Sequence, residues 1–80
     1  MPRIPGVPGP YRFFFYSLDC NEPEHVHIER DRDSCKFWLE PLALAANHGF
    51  SAKELNRIRG LIDKYKGAIR NAWNEHCGRT

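Results

Sequence analysis

Apolar and polar residues alternate in three short stretches of this chain. In Tyr11 to Ser17, Phe13 and Phe15 share one side of an extended backbone, and Arg12, Phe14 and Tyr16 share the other, because successive side chains of a strand point to opposite faces. In His25 to Arg30, Val26 and Ile28 form the apolar set, with His25, His27 and Glu29 opposite. In Cys35 to Glu40, Phe37 and Leu39 point one way while Lys36, Trp38 and Glu40 point the other. The links are short and polar: LDCNEPE is turn-like around Asn21 and Pro23, and DRDS suits a tight hairpin. The pattern predicts a small antiparallel three-stranded meander.

The period changes after Glu40. Proline is favoured at the first helical position, where its missing amide would have been unpaired anyway, so Pro41 reads as a helix start. Leu42 to His48 then makes a short helix of about two turns that Gly49 can end, with His48 serving its C-terminal dipole. Ser51 and Glu54 have the spacing of a capping box, bracketed by Phe50 and Leu55 as a hydrophobic staple. A long helix follows to about His76. Its stripe of Leu55, Ile58, Ile62, Tyr65, Ile69, Ala72 and Trp73 recurs at spacings of three and four. Gly60 and Gly67 lie inside it, so its stability depends on packing. Residues 1–10, MPRIPGVPGP, hold four prolines and two glycines and form an arm rather than a helix or a central strand. Residues 11–77 form one α+β domain of two layers, in which the short and long helices cover one face of the meander and leave the other open or facing another chain.

Composition narrows the function. A chain of 80 residues is one domain, and 41% apolar with 28% charged residues is ordinary for a globular protein. A net charge of +2 is too mild to mark a nucleic-acid binder unless the cations cluster. Cys20, Cys35 and Cys77 show no CxxC spacing, and no basic segment followed by an apolar run opens the sequence, so a reduced, cytoplasmic protein is expected. No apolar run approaches the roughly 20 residues of a membrane span. Phosphate loops, dinucleotide fingerprints, nucleophile elbows and zinc-finger spacings are absent, and no cofactor is called for.

The chemistry gathers on the open face. Arg12, Phe14, Tyr16, His25, His27, Lys36 and Trp38 place three large rings among cations and imidazoles, where antiparallel sheets normally turn polar residues to water. These seven are the candidate binding residues, for a protein, for RNA or DNA by stacking and phosphate pairing, or for a second copy. His25 and His27 also admit catalysis, because two imidazoles titrating near neutrality can act as general acid and base in metal-independent RNA cleavage. Finally, His-x-His on a strand sets both rings on one face about 7 Å apart at the backbone, where a carboxylate or thiolate could complete a metal site. Asp19, Cys20, Glu22 and Glu24 are near in sequence.

YRFFFYS, PEHVHIER, KFWLEP and LALAANHGFSAKEL resemble, in that order, the signature of the domain of unknown function 4160 family, from about Tyr11 to Trp73. The resemblance implies a small bacterial protein encoded beside another small protein in a toxin-antitoxin-like pair, hence a small protein partner. Tyr11, Phe13 to Tyr16, Pro23, His25 to His27, Lys36 to Trp38 and Asn47 to Ser51 carry the match. Leu18 and Cys20 stand where the family has more polar turn residues, and the proline-rich start replaces a more strand-like segment. The expectation is a non-enzymatic binding module of such a pair.

Overall fold

The computed structural model describes residues 4, 6, 7, 9–16 and 18–78. In chain order the elements are β1 (Arg12–Phe14), one 3-10 turn (Asp19–Asn21), β2 (His25–Arg30), β3 (Asp33–Leu39), β4 (Leu42–His48), α1 (Ala52–Lys64) and α2 (Lys66–Cys77). The strands form one antiparallel sheet ordered β1-β2-β3-β4, a meander with one strand more than the alternation predicts. The predicted hairpin between β2 and β3 is present as Asp31 and Arg32, and Asp31 adopts the left-handed φ of 54° that aspartate tolerates better than most residues. The first strand is shorter than expected, ending at Phe14, and Ser17 lies outside the described residues.

The additional strand is Leu42–His48, expected as a short helix. Leucine and alanine favour helix intrinsically, but seven such residues cannot sustain a helix without packing. Pairing with β3 supplies hydrogen bonds along the whole segment instead. Its alternation is hidden by a bulge: Phe37 pairs with Leu44 but Lys36 with Ala46, leaving Ala45 as the extra residue. The Glu40–Pro41 peptide between β3 and β4 is cis, so Pro41 sits in a turn rather than opening a helix.

The single long helix is divided at Tyr65, which closes α1 and opens α2 with φ −104° and ψ 19°. Hydrogen bonds from Tyr65 N–H to Leu61 and from Ile69 N–H to Tyr65 continue on both sides, so the interruption is local. A straight helix over both segments would be roughly 39 Å long, well beyond the roughly 23 Å of a seven-residue strand. Buried residues on both sides of the break, Ile58 and Ile62 before it and Ile69 and Trp73 after it, belong to one core. Ile58, Ile62 and Ile69 meet Phe13, Val26, Ile28, Phe37 and Leu39 in a buried core, as the stripe predicts.

Ser51 caps α1 by accepting the Glu54 amide at 3.2 Å. The Glu54 carboxylate does not reach back along the helix; it holds the Arg30 guanidinium and accepts the Tyr11 hydroxyl at 3.0 Å. Arg30 in turn lies over the Tyr11 and Phe50 rings, so this end of α1 is tied to β2. The basic residues of the helices serve similarly: Arg59 reaches the Leu42 carbonyl, Lys66 pairs with Glu40 and Arg70 with Glu24. Within the arm, Ile4 is buried in the core and its amide donates to the Phe13 carbonyl at 2.9 Å, strapping the β1 edge. Residues 1–3, 5 and 8 of the arm lie outside the described residues. Among the described residues no helix is long and apolar enough to cross a membrane.

Gly49 joins β4 to α1 with φ +109°, and a Cβ there would collide with the Asp33 carboxylate. Replacing Gly49 with Ala should lower stability by at least about 1 kcal/mol through backbone strain alone. Urea unfolding should show a lower midpoint with unchanged slope; an unchanged midpoint would contradict the strain.

Candidate functional site

The register places most of the predicted face as expected. Arg12 and Phe14 on β1, His25 and His27 on β2, and Lys36 and Trp38 on β3 share one side, with Phe14 paired to His27, His27 to Lys36 and His25 to Trp38. β4 adds Ala43, Ala46 and His48, so His48 belongs to this face rather than to a helix end. Tyr16 lies beyond β1, yet its ring meets Phe14 at 5.2 Å and His27 at 4.6 Å.

Two members are not exposed. Phe14 retains 3% of its surface, stacked on His27 at 5.5 Å and covered by Tyr16. His25 retains none: its ring is held between Trp38 at 5.5 Å and Trp73 of α2 at 5.1 Å. The expected open platform is thus a stack of rings with Tyr16 outermost, 47% exposed, and α2 seals its His25 end. Trp73 does so while also packing on Phe15, which strand alternation alone would leave on the other side.

The cations of the face are already paired. Arg12 forms an ion pair with Glu29. Lys36 donates to Glu22 at 2.7 Å and lies 4.4 Å from the centre of the Trp38 ring. Between Tyr16, His27, Lys36, Ala46 and His48 a cleft of about 240 Å³ opens over the Phe14 ring.

At the sealed end the turn after β1 brings in Asp19. Its Oδ2 lies 3.1 Å from His25 Nε2 and 3.0 Å from His27 Nε2, and it accepts the Tyr16 amide at 2.7 Å. Both imidazole nitrogens are buried beside this carboxylate. Burial pushes the Asp19 carboxyl up, but the Tyr16 amide and the flanking imidazoles outweigh it, holding the group below its usual range. Burial pushes His27 down by disfavouring the imidazolium, and the neighbouring Asp19 offsets only part of this. The three donor atoms, all within 4.8 Å of one another, could hold a metal ion. Asp19 of this turn is thus one of the three candidate donors.

A disulfide joins Cys20 to Cys77, 57 residues apart, tying the Asp19 turn to the last turn of α2. This corrects the expectation of a fully reduced chain. Two half-buried cysteines so far apart carried no local spacing signal; only docking of α2 brings them together. Cys35 is unpaired and buried, and burial pushes its thiol up to about 12. A thiol-reactive aromatic disulfide should accordingly detect no thiol in the native protein and one per chain after denaturation without reductant. Three before any reduction would disprove the bond.

Residues 11–74 match the family model described as Domain of unknown function (DUF4160). No curated protein and no solved structure matches the chain.

Proposed function

The chain belongs to the DUF4160 family, and we propose that it is a non-enzymatic binding module of a bacterial two-gene, toxin-antitoxin-like system, docking a small protein partner on the open side of its sheet. The observation that carries this reading is the cleft between Tyr16, His27, Lys36, Ala46 and His48, which adjoins the unguarded edge of β4. Edge strands are normally blunted by charge or proline. Leu42–His48 holds no Asp, Glu, Lys, Arg or Pro, and among the described residues no strand pairs with its outer side. Arg59 occupies the Leu42 carbonyl, leaving the stretch from Ala43 onward available. An extended segment of a partner could add there as a fifth strand and set one of its alternate side chains into the cleft.

Charge favours a protein over nucleic acid. Phosphate-backbone binding draws on free Lys and Arg. Arg12 and Lys36, the cations of the predicted face, are neutralised by Glu29 and Glu22. A ribonuclease using His25 and His27 has less support, because a general acid and base must both reach the scissile phosphate and His25 is fully buried. The cytoplasmic setting expected for this module loses its main support, since disulfides are rare in reducing compartments and Cys20 is bonded to Cys77.

The test uses the small protein encoded beside this one. Tyr16→Ala and Ala46→Glu should each weaken its binding at least tenfold by calorimetry, about 1.4 kcal/mol, while both variants keep the circular dichroism of the folded chain. Wild-type affinity in both variants would reject the docking surface. So would tight binding of single-stranded RNA lost on Lys36→Ala, or self-association as the only complex formed.

A further inference from the structure

His25 is the residue the docking reading leaves unexplained. It is wholly buried, and its Nδ1 lies 2.8 Å from the Pro23 carbonyl, which can only accept a hydrogen bond. Nδ1 therefore carries the proton. In the neutral ring Nε2 is then a bare lone pair, placed 3.1 Å from the Asp19 carboxylate oxygen, another acceptor. Two acceptors at that distance repel unless something positive lies between them. That positive charge is either a second proton on His25 or a cation shared with His27, whose Nε2 lies 3.0 Å from the same oxygen.

We infer that Asp19, His25 and His27 form a binding site for a single divalent transition-metal ion of the zinc class. Bonds of 2.0–2.1 Å in tetrahedral geometry separate donor atoms by roughly 3.3 Å. The two Asp19 to imidazole separations, 3.1 and 3.0 Å, already have this scale, and all three donors lie within 4.8 Å. Three donor atoms converging at these separations are what sharing one ion requires. The outer contacts are in place too: a metal-bound His ordinarily gives its other N–H to a carbonyl or carboxylate, as His25 does to Pro23, and a liganding carboxylate is itself hydrogen-bonded, as Asp19 is by Tyr16. Two nitrogens and one oxygen suit a borderline ion rather than the all-oxygen shells of magnesium or calcium. With three protein ligands, one coordination position is left to water or to an external ligand, as in zinc sites that exchange ligands rather than closed structural ones. Cys20, beside Asp19, is held in the disulfide and offers no thiolate.

This site requires no partner, so its test stands apart from that of docking. Chain purified without an affinity tag, stripped with chelator and kept free of reductant is titrated with zinc chloride against a chromogenic chelator, and its cobalt(II) derivative is examined by visible absorption. The expectation is one zinc per chain with sub-micromolar Kd, and cobalt bands of tetrahedral intensity. Asp19→Asn and His27→Ala should weaken zinc at least a hundredfold and abolish those bands, while Glu75→Gln on the exposed side of α2 leaves both intact. Circular dichroism of the stripped variants should match that of stripped wild type, which separates loss of a ligand from loss of the fold. The site is disproved by wild-type Kd values above 100 micromolar, or by folded Asp19→Asn and His27→Ala variants that bind zinc as wild type does.

Discussion

The register of β2 is the constraint on which the rest depends. Val26 and Ile28 are completely buried against the helices, while His25 and His27, one residue out of phase, point to the opposite side. A slip of one residue would drive both imidazoles into the apolar core and turn Val26 and Ile28 outward. Burying two aliphatic side chains is worth roughly 3 to 6 kcal/mol, which favours the observed pairing. The same register sets Phe14 over His27 and Trp38 beside His25. Ring stack, cleft and donor cluster all follow from it.

What strand alternation determines could be seen in the sequence; what docking of distant segments determines could not. The sides taken by Phe13, Val26, Ile28, Phe37 and Leu39 and by Arg12, His27, Lys36 and Trp38 were legible, because period-two patterning in β2 and β3 is unbroken. Leu42–His48 was misread for two physical reasons: its composition favours helix, and the bulge at Ala45 shifts its alternation by one. The division at Tyr65 left no trace in a stripe that runs evenly through it. Burial of His25 depends on Trp73, which lies 48 positions along the chain, and pairing of Cys20 depends on Cys77. Neither is a local property. The candidate donor in the turn was only half visible, since four possible donors follow β1 and only folding brings Asp19 among them to the two imidazoles.

The same pairing of charges that argues against nucleic acid also shapes the cleft. Glu22 draws Lys36 across Trp38, and Glu29 draws Arg12 sideways, so polar groups lie at the margins while Phe14 and Ala46 remain between them. An apolar centre bordered by satisfied ion pairs resembles the cores and rims of protein interfaces more than a phosphate track. Salt should therefore matter less to this surface than shape.

Asp19 links the two halves of the site. Its position is fixed from one side by the Tyr16 amide and from the other by the bond between its neighbour Cys20 and Cys77 of α2. Tyr16 is also the outermost ring of the stack, in contact with His27, which lines the cleft. Any ion held by Asp19, His25 and His27 would thus fix the His27 ring that forms one wall of the cleft, while Trp73 keeps water away from His25 on the opposite side. Metal coordination and docking would then be coupled through a single imidazole, with one ring nitrogen serving the ion and one ring face serving the stack.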